Sequence, residues 1–355
     1  MSYVAFLCDL GPGRAKLLVL QRVVANQMKV LILNHLEVET LLPMSECIGV
    51  METAFSGLAR NDFYQPLRTI AKPEGVKGVM ALMPTFRSGD EPLFGLKAIC
   101  VFPGNANIGK DAHQGAVLLF SGKTGELLAV VNASAITAIR TAAVSGLATQ
   151  LLARPDAAEL AIIGSGVQAR THLEAMACVR PIRRARVASL HLEKAQQFAW
   201  EMQDRYEFAI EAVASPEEAL READLIVTAT IAREPVVKRE WIADGAHINA
   251  VGTYSPKARE LDGATMAAAT LFVDRRESAV NEAGDYLLAV SEGSISADHI
   301  RAELAEVVTG THPGRTSSGE ITIFKSLGLA IEDLAAAEYV YKKASDQKLG
   351  AWVDF

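Results

Sequence analysis

Glu159-Leu160-Ala161-Ile162-Ile163-Gly164-Ser165-Gly166-Val167-Gln168-Ala169 decides the fold. The apolar run Glu159–Ile163 reads as a buried strand, and the glycines follow it without a loop. A helix carrying Val167, Leu173, Met176 and Ala177 comes next. Strand, glycine pair and helix in that order form the dinucleotide-binding turn. Gly164 permits the tight turn, Gly166 lets backbone approach a pyrophosphate, and Ala169 keeps the helix close to the sheet. The helix N-terminus supplies amide donors and the positive end of a dipole.

Downstream, strands at Ala185–Ser189, Phe208–Val213, Leu225–Ala229, His247–Val251 and Thr270–Val273 alternate with helices such as Glu193–Asp204. Ser215-Pro216-Glu217-Glu218 is a helix start, with a capping serine and proline in the first turn. The alternation predicts an α/β fold with a Rossmann doubly wound parallel sheet. Upstream the texture differs. Val38–Leu58 has helical spacing, and strands are expected at Lys77–Met83, Gly95–Val101, Gly115–Phe120 and Glu126–Val131. The turn Ser121-Gly122-Lys123-Thr124-Gly125 makes the last two a hairpin, so this part is an antiparallel or mixed sheet. Residues 1–27 read as an extension of little functional weight, or equally as a surface strand or helix packed on the body, before a first strand at Lys29–Leu33.

The chain has 355 residues, half of them apolar, and a net charge of −7. That balance excludes intrinsic disorder and offers no basic field for nucleic acid. Cys8, Cys47, Cys100 and Cys178 are scattered, which argues for a reducing cytoplasm and against a disulfide or zinc framework. No uninterrupted apolar run of about 18 residues suggests a membrane span.

Which dinucleotide binds turns on the second strand, where an acidic residue about 20 positions past the motif would hold the ribose of NAD. Here the strand runs Val187-Ala188-Ser189-Leu190-His191, with no carboxylate before Glu193 and with Arg183, Arg184 and Arg186 close in sequence. NAD or NADP is expected, with NADP slightly favoured.

Further segments carry a resemblance. These are Ile136-Thr137-Ala138-Ile139-Arg140-Thr141-Ala142-Ala143, expected on a short helix, then His247–Gly252, Phe272-Val273-Asp274, Glu282-Ala283-Gly284-Asp285 and Glu320–Gly328. Together with the glycine motif they resemble the ornithine cyclodeaminase/mu-crystallin family from Met28 onwards. The resemblance implies a Rossmann domain at 156–329 inserted into a mixed α/β substrate-binding and dimerisation domain at 28–155 and 330–355. It also implies a homodimer, or a multiple of dimers, and hydride exchange at the α-carbon of an amino or imino acid.

Carried over, Arg140 and Arg68 bind the substrate carboxylate, and Lys97 faces the substrate as the catalytic side chain. A lysine within an apolar strand needs a partner, which agrees with a pocket role. Thr141, Gly164, Ser165, Gly166, Val167, Gln168, Ser189, His191, Thr228, Ala229, Val251 and Gly252 are the expected cofactor contacts. His113 and Gln114 read as a surface loop pair, and His172 as a helix-face residue. Asp274, Glu282 and Asp285 read as loop residues rather than metal ligands.

One departure concerns the aspartate that the cyclodeaminases carry shortly after the Val-Gly pair. Here Val251-Gly252-Thr253-Tyr254-Ser255-Pro256 has no carboxylate before Glu260. The expected activity is therefore NAD(P)-dependent reduction of a small imino acid to the L-amino acid, the substrate being a cyclic ketimine such as Δ1-pyrroline-2-carboxylate, or an acyclic imino acid or 2-oxo acid plus ammonia. Ornithine cyclisation to L-proline and ammonia, or NADP-dependent ligand binding of the mu-crystallin kind, are the alternatives.

Overall fold

The computed structural model describes residues 3–8, 17–22 and 29–355. Strands Tyr3–Cys8 and Leu17–Arg22 pair antiparallel, and the rest of the expected extension lies outside the described residues.

The glycine motif sits in an eight-stranded sheet in which every neighbouring pair is parallel. From Glu159–Ile163 the sheet grows outward through Arg184–Ala188 to Ala209–Ala212. It then returns to Leu225–Thr228 on the other side and continues through His247–Ala250, Thr322–Lys325, Thr270–Val273 and Ile300–Glu303. The reversal beside Glu159–Ile163 opens a crevice at the carboxyl ends of the strands, where doubly wound sheets bind ligands.

The last strand expected from the sequence was Thr270–Val273, and two more exist. Thr322–Lys325 inserts between His247–Ala250 and Thr270–Val273, and Ile300–Glu303 forms the edge. Each has only four residues, and Ile300–Glu303 alternates buried and open positions rather than forming an apolar run.

The second sheet is mixed, as expected. Val79–Arg87, Leu93–Val101, His113–Ser121 and Leu127–Asn132 form an antiparallel meander. Lys29–Leu33 joins it in parallel, and the C-terminal strand Ala351–Asp354 pairs with Lys29–Leu33. The chain thus leaves the parallel sheet after Lys325 and returns to the mixed one through the helix Ala330–Gln347.

Val38–Leu58 is two helices, His35–Leu41 and Met44–Ala59, because Pro43 cannot continue the first. The Arg140 segment lies within the long helix Ala133–Leu152, not a short one. That helix is apolar on all sides and packs against both the mixed sheet and the cofactor helix Val167–Val179. Its length and composition would suffice to cross a membrane, and 89% of its most apolar window is buried within the protein.

Candidate active site

Gly164 and Gly166 have different reasons to be glycine. Gly164 has φ +121°, and an added Cβ would lie 2.4 Å from the Ala229 carbonyl oxygen, across the crevice. The protein's own backbone forbids a side chain there. An added Cβ on Gly166 would meet nothing within 4 Å. The space before the helix N-terminus is open, as a bound pyrophosphate requires.

Neighbouring side chains complete this edge. Ser165 and Ser189 hydroxyls lie 2.9 Å apart, Leu190 projects into solvent, and His191 caps the helix Leu192–Gln203. Two of the arginines considered for a 2′-phosphate are committed elsewhere. Arg184 Nε donates to Glu159, and Arg186 donates to the carbonyls of Glu218 and Arg221. Both start from the strand Arg184–Ala188, whose ligand-facing end is the opposite one. Arg183 lies 3.8 Å from Glu159.

A cavity of about 230 Å³ lies between this edge and the mixed sheet. The sheet contributes Val79, Ala81, Met83, Lys97, Ile99 and Val101, all from one face of adjacent strands. Thr137, Arg140 and Thr141 enter from the long helix, and Gln168, Ala229, Val251 and Gly252 from the parallel half. Thr137 Oγ1, Gln168 Oε1 and Ser326 Oγ line it as buried polar atoms without a protein hydrogen bond. Such atoms await a ligand's polar groups.

Lys97 occupies a core-facing position of its strand and is 2% exposed. Its Nζ donates to Asp333 at 3.0 and 3.2 Å. Burial and the charge of Arg140 lower its pKa to about 8, against the pull of Asp333. Arg140 donates through Nε to the same Asp333 at 2.9 Å and through Nη1 to Glu332 at 2.5 Å. Burial opposes its charge, and the two carboxylates outweigh that and hold it ionised. Arg68 Nε lies 3.0 Å from Glu282, while its Nη2 donates to the carbonyls of Leu327 and Gly328. The structure thus brings Arg68, Lys97 and Arg140 to one cavity. Their counter-ions Glu282, Glu332 and Asp333 stand behind them, outside its lining.

Sequence reasoning missed Glu332 and Asp333, which sit in the first turn of the helix Ala330–Gln347, far along the chain from their partners. It also misplaced His113. His113 begins the strand His113–Ser121 and lines the cavity, and burial, with Lys97 and Arg140 nearby, lowers its pKa to about 4. Gln114 faces outward. Alternation along the strand could have separated the two.

His172 is fully buried, bridging Gln168 O at 2.7 Å and Ser145 Oγ at 2.9 Å.

Glu260 needs a correction of another kind. Although late in sequence it folds back to the Val-Gly pair, accepting from Gly252 N at 2.7 Å and from Thr228 and Thr230. Fully buried and absent from the cavity lining, it fixes the loop and offers no charge to a substrate. Tyr254 lines the cavity instead. Asp274, Glu282 and Asp285 diverge. Asp274 accepts the N–H groups of Leu327, Gly328 and Arg275, Glu282 pairs with Arg68, and Asp285 pairs with Lys325 at 2.9 Å. No metal-ligating cluster occurs among the described residues.

A dinucleotide-binding crevice opening onto a cation-lined cavity defines a nicotinamide-dependent oxidoreductase acting on the CH–NH or CH–NH2 group of an imino or amino acid. The comparisons agree. A Δ1-pyrroline-2-carboxylate reductase of Bacillus cereus strain ZK / E33L is 38% identical over 326 residues, covering 92% of this chain and 100% of that protein. The structure of Thermococcus litoralis Δ1-pyrroline-2-carboxylate reductase in complex with NADH and L-proline superposes with a TM-score of 0.89 at 42% identity, covering 91% of this chain and 100% of that one. An archaeal alanine dehydrogenase dimer with bound NAD gives a TM-score of 0.86 at 37% identity, covering 92% and 100%. The chain belongs to the ornithine cyclodeaminase/mu-crystallin family, whose model matches residues 28–348.

Proposed function

We propose that this protein reduces a small imino acid, foremost a cyclic ketimine such as Δ1-pyrroline-2-carboxylate, to the L-amino acid. One observation carries the reading: the cavity presents three cations and an otherwise mostly apolar wall, with no carboxylate in its lining. A substrate with a carboxylate and an uncharged side chain fits that wall. A second ammonium group would stay desolvated and unpaired.

In this reading Arg140 and Arg68 hold the carboxylate, a task that suits the planar guanidinium. Lys97, with its pKa near 8, carries a proton it can give to the imine nitrogen at neutral pH. The bound nicotinamide supplies the hydride to the α-carbon. Gly164, Ser165, Gly166, Val167 and Gln168 would hold the pyrophosphate, and Ser189 and His191 the adenosine ribose. Thr141, Thr228, Ala229, Val251 and Gly252 would surround the nicotinamide end. With neither a carboxylate nor a committed arginine at the ribose, NADH and NADPH both fit, and the slight preference for NADP loses the support of Arg184 and Arg186.

The active form is a homodimer. On the mixed sheet the face away from the cavity carries Met80, Leu82, Phe94, Leu96, Ala98, Leu118 and Phe120, with Met80 and Phe94 44% and 49% exposed. A contiguous apolar sheet face of this kind needs a cover. The substrate-binding part comprises 28–155 with 330–355, and the dinucleotide part 156–329.

The test is stoichiometric. Δ1-pyrroline-2-carboxylate should consume one reduced dinucleotide per proline formed, while ornithine with catalytic NAD+ should yield at most about one hundredth of that rate. Efficient release of ammonia from ornithine would replace this reading with cyclodeamination.

A further inference from the structure

The charged groups behind the cavity do not balance. Arg68, Lys97 and Arg140 face Glu282, Glu332 and Asp333 in direct ion pairs, and Asp274, fully buried beside Glu332, adds another carboxylate. Ionised throughout, the cluster already carries one negative charge in excess before any anion enters. A substrate carboxylate on Arg140 would make the excess two, beside Lys97, Glu332 and Asp333, which are themselves buried.

We propose that the site takes up one proton when the substrate carboxylate enters, and that Glu332, acting through Arg140, holds it. The inference rests on the carboxylate-binding role given above to Arg140.

Burial pushes Asp274, Glu282 and Glu332 up alike, and their hydrogen-bond partners and solvent access together single out Glu332. Asp333 accepts from both Lys97 and Arg140. Asp274 accepts three backbone N–H groups at 2.6–2.9 Å. Glu282 keeps Arg68 and some solvent contact. Glu332 has one guanidinium nitrogen and the Leu329 amide, and is fully buried. Burial, with Asp274 and Asp333 nearby, already raises its pKa to about 7 despite Arg140.

The other charged or titratable groups around it are Lys97 on the sheet, Arg68 and Glu282 at the cavity rim, His113 opposite and the buried Cys47 thiol behind Arg140. Of these, Lys97, with its pKa lowered to about 8, and Glu282, pushed up by burial, are the competing sites for the proton. The step balances simply: ionised Glu332, the carboxylate and one proton give neutral Glu332 and bound carboxylate. The Arg140 nitrogen that Glu332 engaged is then released toward the ligand. Glu332 is a positioning residue, since it reaches the substrate only through Arg140.

Calorimetry of pyrrole-2-carboxylate, a planar unreactive carboxylate, tests this with the dinucleotide-loaded protein in buffers of different ionisation enthalpy. Uptake should be small at pH 6, where Glu332 is mostly protonated already, and exceed half a proton per site at pH 8, with a midpoint near 7. Affinity should weaken several-fold from pH 7 to 8. Glu332→Gln, neutral at every pH, should abolish the uptake below pH 7.5 and flatten the affinity profile while still binding at pH 8. Binding by the wild-type protein without uptake, a midpoint near 8 that marks Lys97, or uptake unchanged in Glu332→Gln would overturn the inference while leaving the carboxylate site intact. No binding at any pH would overturn the site reading and this inference with it.

Discussion

The two sheets solve the same problem differently. The parallel sheet buries both faces within one chain: its strands Leu225–Thr228 and His247–Ala250 are buried at every position. The meander buries only the face toward the helices Ala133–Leu152 and Ala330–Gln347, and the alternate residues of Leu93–Val101 on the other face stay partly open, Phe94 most of all. Parallel sheets need helices on both sides, whereas antiparallel ones can leave a face for water or for a partner. Here that face is apolar, so one half of the molecule is finished by its own chain and the other leaves a surface that the proposed dimer would cover.

The largest expected effect falls on that unfinished face. Phe94→Asp places a carboxylate at the centre of the proposed interface, once from each subunit. A buried unpaired charge costs several kcal/mol, so dimer dissociation should rise by at least about a thousandfold, equivalent to about 4 kcal/mol. Light scattering should report monomers of normal circular dichroism. A Phe94→Asp protein that stays dimeric would remove the distinction between the two sheets.

The next effect belongs to the finished half and separates two glycines. Gly166→Val should leave the melting temperature within a few degrees, because nothing of the protein lies where the side chain goes. It should weaken dinucleotide binding by roughly a hundredfold, about 2.7 kcal/mol. Gly164→Ala should do the reverse in part, destabilising the fold by about 2 kcal/mol through its positive φ and the Ala229 carbonyl. Fluorescence titration and thermal melts of the same samples decide between the two patterns.

The smallest effect tests the seam. His172 joins the cofactor helix to Ser145 of the long helix, and burial lowers its pKa from 6.5 to about 4. Above pH 6.5 it is neutral folded or unfolded, and its contribution is complete. As pH falls toward 4 the unfolded chain takes the proton that the folded one refuses. Stability is therefore lost across that window, by up to about 3 kcal/mol. Urea unfolding at pH 7 and pH 4.5 should show a smaller loss for His172→Gln by about 2 kcal/mol. Equal losses would mean that the imidazole is hydrated in the native seam.

Legibility in the sequence divides along the same line. Strands buried on both faces appear as apolar runs, so Glu159–Ile163, Leu225–Thr228 and His247–Ala250 could be read directly, and the glycine turn with them. The meander could be read from alternation and from its hairpin turn. What could not be read is whatever depends on contacts distant in sequence. Lys97 demanded a partner, but nothing local named Asp333, 236 residues away. Thr322–Lys325 ends in a lysine that looks wrong for a core strand until Asp285 and Thr253 receive it at its end. Glu260 looked distant from the Val-Gly pair because a loop's return path leaves no periodic trace.

The Asp333 bridge has a consequence for the newborn chain. Lys97 and Arg140 leave the ribosome long before the carboxylate that joins them: 193 residues separate Arg140 from Asp333, roughly 10–40 s of translation. Through that interval the meander and the long helix cannot close on each other without trapping unmatched cations in an apolar interior. The ion-pair cluster of the cavity therefore cannot be completed in a chain shortened before the helix Ala330–Gln347, and only the pairing of Ala351–Asp354 with Lys29–Leu33 waits longer. Lys97 and Arg140 thus gain their shared counter-ion only when that helix has been made.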